Sequence, residues 1–503
     1  MSTVKKHEIL QAKTLVFAAC IFLALWLIKI FRRAYWTPLR AIPGPWYAKF
    51  TQLWMKKHTL AGRRMHYVHE LHAKYGPIVR VSPEEIDIAD AAAFKEIHRI
   101  GGGFRKSPWY QTFRKGETTD VFSVTDSKEH AQKRRLLAPL FSNSALMNNW
   151  YPVVVDNVTM AVEKIKREAS GAGEADIFKW WTFMTADVIS HLAFGESFGM
   201  LNLEKKTEHM QTIEDATKFG LISSELPLLY SLLTWIPFKS VQDSINGDEK
   251  VQTLAEETMR RAQRTGIGAT NIFSKLSAEN EKDREAYTDY QLAFEAGGFI
   301  VAGSGTTAVS LTYLVWAVLS NPSVQAKLEA EVGALQPAYT DADLENLPYL
   351  SAVIEEALRV YSAAPGALPR TVPNGGATLS GYFIPEGITV STQAYTLHRD
   401  SATYPEPEKF VPERFISPSG EFHPSQGAFA PFGAGSRTCL GIHLARIELR
   451  HGAALFFREC KGARLSTRTT PASMEMVNYF LVSPASEQCW ITLNPEASQV
   501  KVA

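Results

Sequence analysis

The run most able to do chemistry is Phe432, Gly433, Ala434, Gly435, Ser436, Arg437, Thr438, Cys439, Leu440, Gly441, followed by a helical pattern through Arg450. A cysteine placed where a helix begins lies in the field of that helix's N-terminus, which favours thiolate over thiol. Thiolate is the form that binds a metal. Gly435 and Gly441 permit a tight loop and close approach of a bound group. Two plainer readings compete. Gly433 and Gly435 look like the start of a dinucleotide fingerprint, but Thr438 stands where the third glycine is needed and no strand pattern leads into the run. Cys439 could also be an ordinary core thiol, since most of the four cysteines, Cys20, Cys439, Cys460 and Cys489, are expected to be inert and buried, and no C-x-x-C spacing points to zinc or to a disulfide framework. A second chemical run is Ala296 to Thr307, which carries Gly297, Gly298, Gly303 and Gly305 inside a helical pattern. Each glycine costs about 1 kcal/mol relative to alanine in an ordinary helix. The run therefore implies close approach to a ligand, an opened hydrogen-bond ladder, or a tight packing face. Gly298, Ala302 and Thr306, spaced by four, form a small-residue stripe with one hydroxyl.

These residues resemble the cytochrome P450 family, whose haem-binding loop reads F-x-x-G-x-R-x-C-x-G. Phe432, Gly435, Arg437, Cys439 and Gly441 match every fixed position. Glu356 and Arg359, within a helical stretch, and Pro412, Glu413, Arg414, Phe415 resemble the family's E-x-x-R and P-E-R-F elements. Three apart on one helix face, Glu356 and Arg359 can pair, and Arg414 can close a buried charge cluster that locks the haem-side loop. These three are assigned to architecture.

The resemblance implies haem b with Cys439 as the axial iron ligand, and Phe432, Gly433 and Ala302 against the porphyrin. Thiolate ligation raises electron density on iron and promotes O–O cleavage. Haem carboxylates need cationic partners. The candidates are His130 and Arg134, which resemble the family's W-x-x-x-R element with histidine replacing tryptophan, together with Arg370 and Arg437. Thr306 is the catalytic candidate, beside the space for dioxygen, where its hydroxyl and ordered water relay protons. The family's acid before this threonine is replaced by Gly305, which puts acid-assisted proton delivery in doubt.

No nucleotide- or flavin-binding segment is evident, so electrons are expected from NADPH through a separate flavoprotein reductase, with cytochrome b5 as a further candidate partner. Arg446, Arg450, Lys128, Lys133 and Arg135 offer a basic docking patch, against the plainer reading of a solvated face. Substrate contacts are implied in residues 101–122, 221–238, 298–307, 363–368 and 479–482. Their apolar and aromatic content favours a hydrophobic, polycyclic or prenylated substrate without a charged anchor. The details resemble fungal biosynthetic members. Hydroxylation, epoxidation or a similar oxidation is expected, with oxidative coupling, rearrangement or dehydration as the rival use of the same iron. Non-catalytic haem binding is a third, less favoured reading.

The elements that must position these groups are mainly helical. Patterns cover about 64–75, 127–141, 145–168, 180–194, 290–320, 322–335, 349–361 and 440–457, with short strands at Ile78–Val81, Ile86–Ala89, Ala377–Leu379 and Thr389–Gln393. The expected fold is mainly α with small β-sheets, the haem lying between the long central helix and the cysteine loop. With 53 Lys plus Arg against 52 Asp plus Glu, no basic field argues for nucleic acid. Leu15 to Ile28 is uninterrupted apolar sequence, extended past Lys29 and followed by no cleavage site, so it reads as an uncleaved anchor. The Lys29, Arg32, Arg33 and Arg40 flank places the following body in the cytosol, on the endoplasmic reticulum membrane. Pro43, Gly44 and Pro45 are expected to stop the anchor helix. The division is then an anchor and hinge over 1–40 and a catalytic domain over 41–503.

Overall fold

A computed structural model of the chain describes residues 2–113, 116–208, 287–423 and 427–493, together with parts of the stretch 209–286. Helix α1 (Ser2–Tyr35) is continuous for 34 residues. Its Lys13–Tyr35 portion contains an 18-residue window with a mean hydropathy of 2.4, none of it buried. At about 1.5 Å per residue this portion is long enough to cross a bilayer core. The helix ends before Pro38 rather than at Pro43, which corrects the expected stop. Thr37 precedes a proline and is held extended (φ −148°, ψ 148°), and its hydroxyl accepts the Leu39 N–H to start a 3₁₀ turn over Pro38–Ala41. The end of α1 is then gripped by the body. Buried Arg80 donates from Nη2 to the Arg33 carbonyl at 3.1 Å and the Pro83 carbonyl at 2.8 Å, and from Nη1 to the Ala34 carbonyl at 3.4 Å. Arg33 in turn pairs with Glu84 at 3.2 Å.

Seven further helices frame the site: α2 (Ser127–Leu137), α3 (Tyr151–Ala172), α4 (Ile177–Phe194), α5 (Asp289–Leu319), α6 (Pro322–Gly333), α7 (Pro348–Val360) and α8 (Ile442–Glu459). A capping box formed by Thr288 and Gln291 starts α5, which then runs through the apolar core against α4, α7 and α8. Almost every side chain of α4 is buried, including Trp180 and Trp181, because it is walled by α3 on one side and α5 on the other. The single helix expected over 145–168 is two, Asn143–Asn149 and α3, separated at Trp150. Pro152 explains the break, since it has no N–H for the Asn148 carbonyl and suits the first turn of a new helix.

The main sheet has five strands: β1 (Ile78–Ser82), β2 (Glu85–Ile88), β3 (Arg105–Lys106), β4 (Arg370–Thr371) and β5 (Thr389–Ser391), in the spatial order β1, β2, β5, β4, β3. Only β2 and β5 run parallel. In the antiparallel β3/β4 pair, Lys106 stands directly opposite Arg370. A separate hairpin joins β6 (Met476–Tyr479) to β7 (Leu481–Pro484). The fold is mainly α with small sheets, as expected.

Candidate active site

The cysteine loop is shaped by backbone constraints. Gly433 and Gly435 take φ +72° and +65°, a region that side chains disfavour. A Cβ on Gly435 would fall 1.9 Å from the His98 carbonyl oxygen, so close backbone approach also requires glycine there. The loop closes on itself through Cys439 N–H to the Phe432 carbonyl at 2.9 Å and Thr438 Oγ1 to the Gly435 carbonyl at 2.8 Å. Helix α8 starts only at Ile442, with Gly441 as its N-cap. Cys439 is therefore outside the first turn, and one N–H, from Gly441, reaches its sulfur. Burial pushes the thiol up, and the Gly441 N–H and the Arg134 charge pull it back only in part. The helix field expected to favour the thiolate thus reaches the sulfur through a single N–H. A bound metal would displace the proton directly.

Although enclosed by protein, Cys439 has an accessible side chain, and so does Ala302 in the middle of α5. Accessible surface at these two points of the protein body is space that a bound group could fill. Thr306 Oγ1 donates to the Ala302 carbonyl at 2.9 Å, one turn back along the helix. Two of the four glycines of α5 differ in role. A Cβ on Gly303 would meet Ile189 of α4 at 2.6 Å, so this one is a packing glycine. On Gly305 it would meet only Leu481 Cδ1, at 3.9 Å, leaving space on that face. Two residues on, Thr307 hydrogen-bonds the carboxyl of Glu448 on α8, a buried acid pushed up to about 8 by desolvation. Glu448 was not singled out from sequence. Its signal is a charge on the apolar stripe Leu444, Glu448, Gly452, where Gly452 packs against Leu311 of α5.

Cationic groups converge near the cysteine loop. Arg134 Nη1 donates to the Thr438 carbonyl at 2.7 Å, and Arg437 Nη1 to the Val124 carbonyl at 2.8 Å. Arg370 is buried, donating to the Pro369 carbonyl at 3.0 Å and the Tyr110 hydroxyl at 3.4 Å. His130 is buried and lowered to about 3, first by desolvation and then by Arg437, Lys106, Arg134 and Arg370. Burial and the Arg370 charge likewise lower Arg437, to about 10. Lys106, also missed from sequence, joins the group: it is buried, and Arg370 and Arg437 act on it. A lysine in a two-residue strand carries no pattern that would mark it. Among the described residues none of Lys106, Arg134, Arg370 and Arg437 forms an ion pair with a carboxylate. Concentrated buried positive charge of this kind needs an anion. An accessible thiol, a glycine-relieved helix and this donor set fit haem, whose iron would take the thiolate and whose two carboxylates would take the cationic donors.

Glu356, Arg359 and Arg414 form one cluster. Arg359 holds Glu356 through Nε at 2.7 Å and Nη2 at 2.9 Å, and Arg414 Nε reaches Glu356 at 3.3 Å. Spare Arg359 donors go to the carbonyls of His398, Pro407 and Lys409, and Val411 N–H donates to Glu356. The cluster thus ties α7 to the chain that leads toward the cysteine loop.

Two parts of the expected docking patch are corrected. Lys133 is buried against Glu295 of α5 at 3.3 Å, and Arg450 is buried in a two-point pair with Asp341 at 2.9 and 2.5 Å. Neither can meet a partner. Arg446 is half-buried on Glu355 at 2.6 Å, whereas Lys128 and Arg135 are exposed.

A cavity of about 400 Å³ opens between the main sheet, the 224–227 segment and the tip of the β6–β7 hairpin. Trp109, Ala364, Ala367, Leu368 and Phe480 give it an apolar side. Lys56, Arg64, Glu84, Glu85 and Glu225 also line it, so the expected absence of charge does not hold at this end. Arg64 is neutralised by Glu85 at 2.5 Å, and Glu225 accepts the Trp109 indole N–H at 3.2 Å. At the hairpin tip Phe480 takes φ +84°, and Asn478 Nδ2 donates to its carbonyl at 3.0 Å. The adjoining Leu481 is the residue that faces Gly305, so the tip stands between the cavity and α5. Of the segment expected over 221–238, residues 221–222 and 237–238 lie outside the described residues.

A tight loop with an accessible cysteine, a central helix with a carbonyl-bound threonine and an unneutralised cationic cluster together define a haem-thiolate protein. Comparison with known proteins gives the family: the cytochrome P450 model matches residues 41–488, and the chain belongs to that family. It is 42% identical over 474 residues to cytochrome P450 monooxygenase stcB of Emericella nidulans, covering 92% of this chain and 90% of the relative. Against cytochrome P450 monooxygenase tazI of Aspergillus terreus the identity is 41% over 489 residues, 96% and 99% of the two chains. Methylphloroacetophenone oxidase of Cladonia uncialis is 34% identical over 388 residues, 75% and 86% of the two chains. The chain is an oxidoreductase of the monooxygenase class.

Proposed function

We propose that this chain oxidises a hydrophobic, ring-containing small molecule of fungal secondary metabolism with dioxygen, using NADPH electrons delivered by a separate flavoprotein reductase, with cytochrome b5 as an accessory donor. The observation that carries this reading is the Thr306 hydroxyl, bonded to the carbonyl of Ala302, whose side chain is accessible in the middle of α5 as that of Cys439 is in its loop. Haem iron, when bound, supplies the activation of dioxygen. Cys439 Sγ would hold the iron, and Arg134, His130, Arg370 and Arg437 would hold the carboxylates. Phe432, Gly433 and Ala302 would bound the porphyrin faces. Thr306 Oγ1 can release its bond to the Ala302 carbonyl and present a proton to the space beside Ala302, with water behind it as the source. Trp109 and Phe122, whose rings lie 5.9 and 5.4 Å from that of Phe480, would seat an aromatic substrate together with it. A membrane position at the endoplasmic reticulum with a cytosolic body is supported by α1 and its basic flank.

The test is the carbon monoxide complex of the reduced protein, whose Soret band is red-shifted when thiolate is the axial ligand. Wild type should give that band and Cys439→Ala should lose it. Retention of the band by the variant would end the assignment. A second reading, coupling or rearrangement without oxygen insertion, is favoured by Gly305 in place of the acid and by a relative whose name is an oxidase of methylphloroacetophenone. Turnover under ¹⁸O₂ separates the two, since only insertion labels the product.

A further inference from the structure

Lys106 and Arg370 are directly opposed across β3 and β4, so their side chains leave the sheet on the same face. Like charges so placed repel, and both are buried, at 8% and 4% exposure. The Lys106 ammonium has three N–H groups and donates one bond, to the Phe122 carbonyl at 2.6 Å. It also lies 4.0 Å from the centre of the Tyr110 ring and 4.3 Å from that of Phe122. Asp120 acts on it weakly while accepting from the Ser123 N–H and hydroxyl. Neutral acceptors and ring faces do not offset two opposed buried cations with Arg437 beside them. The acceptors that would offset them are carboxylate oxygens, and the group this site fits carries two carboxylates.

We infer that Lys106 is a haem-carboxylate ligand and, through the Phe122 carbonyl, ties the substrate-side segment 120–124 to the bound porphyrin. The inference rests on the haem reading above. The same segment is pinned at Val121 N–H by Glu295 at 3.0 Å and at the Val124 carbonyl by Arg437. Phe122 projects from it to the Phe480 ring, 5.4 Å away. Lys106 therefore stands at the junction between cofactor and substrate wall: one donor turns to the loop, and the other two are left for the carboxylate.

The experiment compares haem with its dimethyl ester, which has the same ring and no carboxylate charge. Wild type, Lys106→Met and Lys106→Gln are each loaded with either porphyrin, and its transfer to excess apomyoglobin is followed by absorbance. Losing a charged hydrogen bond should speed loss of native haem from Lys106→Met roughly tenfold or more. With the ester, all three proteins should release at similar rates. An equal acceleration with both porphyrins would show that Lys106 acts through the Phe122 loop alone, and overturn the inference. So would a wild-type rate for the variant with native haem. Lys106→Gln keeps a donor for the Phe122 carbonyl and decides the matter if Lys106→Met does not fold. Failure of Lys106→Gln to fold with either porphyrin would show a role independent of the carboxylates and also overturn it. If wild type took up no thiolate-ligated haem, the haem reading itself would fail, an outcome distinct from all of these.

Discussion

At the scale of single residues, the two hydroxyls at 306 and 307 face different tasks. Thr306 is bonded to its own helix and half-buried, whereas Thr307 is buried on Glu448. Thr306→Val is nearly isosteric and removes the proton source. NADPH consumption should continue while product per NADPH falls by roughly an order of magnitude and peroxide release rises. Unchanged coupling would place the proton path elsewhere. Gly305→Asp has space for its Cβ and should restore part of the coupling in that background. Glu448 makes a different prediction. Its folded value, about 8, lies above the ordinary 4.5, so the folded chain holds the extra proton between those values. The stability it contributes is full below pH 4.5 and is lost as pH rises toward 8. Glu448→Gln should therefore be more stable relative to wild type at pH 8.5 than at pH 5, by about 1 kcal/mol or more. Parallel melting profiles across that range would exclude this titration.

At the scale of elements, α5 carries a built-in comparison. Gly303→Ala pushes a methyl into Ile189 of α4 and should cost about 1–3 kcal/mol. Gly305→Ala meets only ordinary contact and should gain up to about 1 kcal/mol from helix propensity. Denaturant midpoints measure both, and equal shifts would refute the division of packing and open glycines. Strong apolar periodicity made several elements legible from sequence: Arg64–Tyr75 and Ala377–Leu379 fall where expected, and α5 differs by one residue at each end. Weak or non-local signals did not carry. Trp150 splits a helix that periodicity alone continues, because the period ignores the missing N–H of Pro152 two residues on. Lys133 and Arg450 read as surface charges because their partners, Glu295 and Asp341, lie 162 and 109 positions away. The cysteine loop and the Glu356–Arg359–Arg414 cluster were readable because their spacing is local or bound to a motif. Lys106 was not, since its importance arises only when a two-residue strand is laid opposite Arg370.

At the scale of the whole molecule, α1 is both a candidate membrane span and a part of the body. Removing residues 1–28 should release the protein from membranes with the carbon monoxide spectrum intact. Extending the deletion through Ala34 also takes away two carbonyl acceptors of buried Arg80, and should lower the stability of the soluble body by about 1–3 kcal/mol. Fractionation and thermal melts of the two truncations check this. Equal melts would mean that Arg80 does not depend on the helix end. If it does depend on it, α1 behaves as a bracket and not as a rope. With the helix in a bilayer, the body could neither tumble nor swing freely, and its attitude to the lipid surface would follow from one guanidinium. An electron donor sharing that surface would then meet the same side of the molecule at each encounter, so its search would reduce from three dimensions and every orientation to sliding in a plane toward one exposed flank.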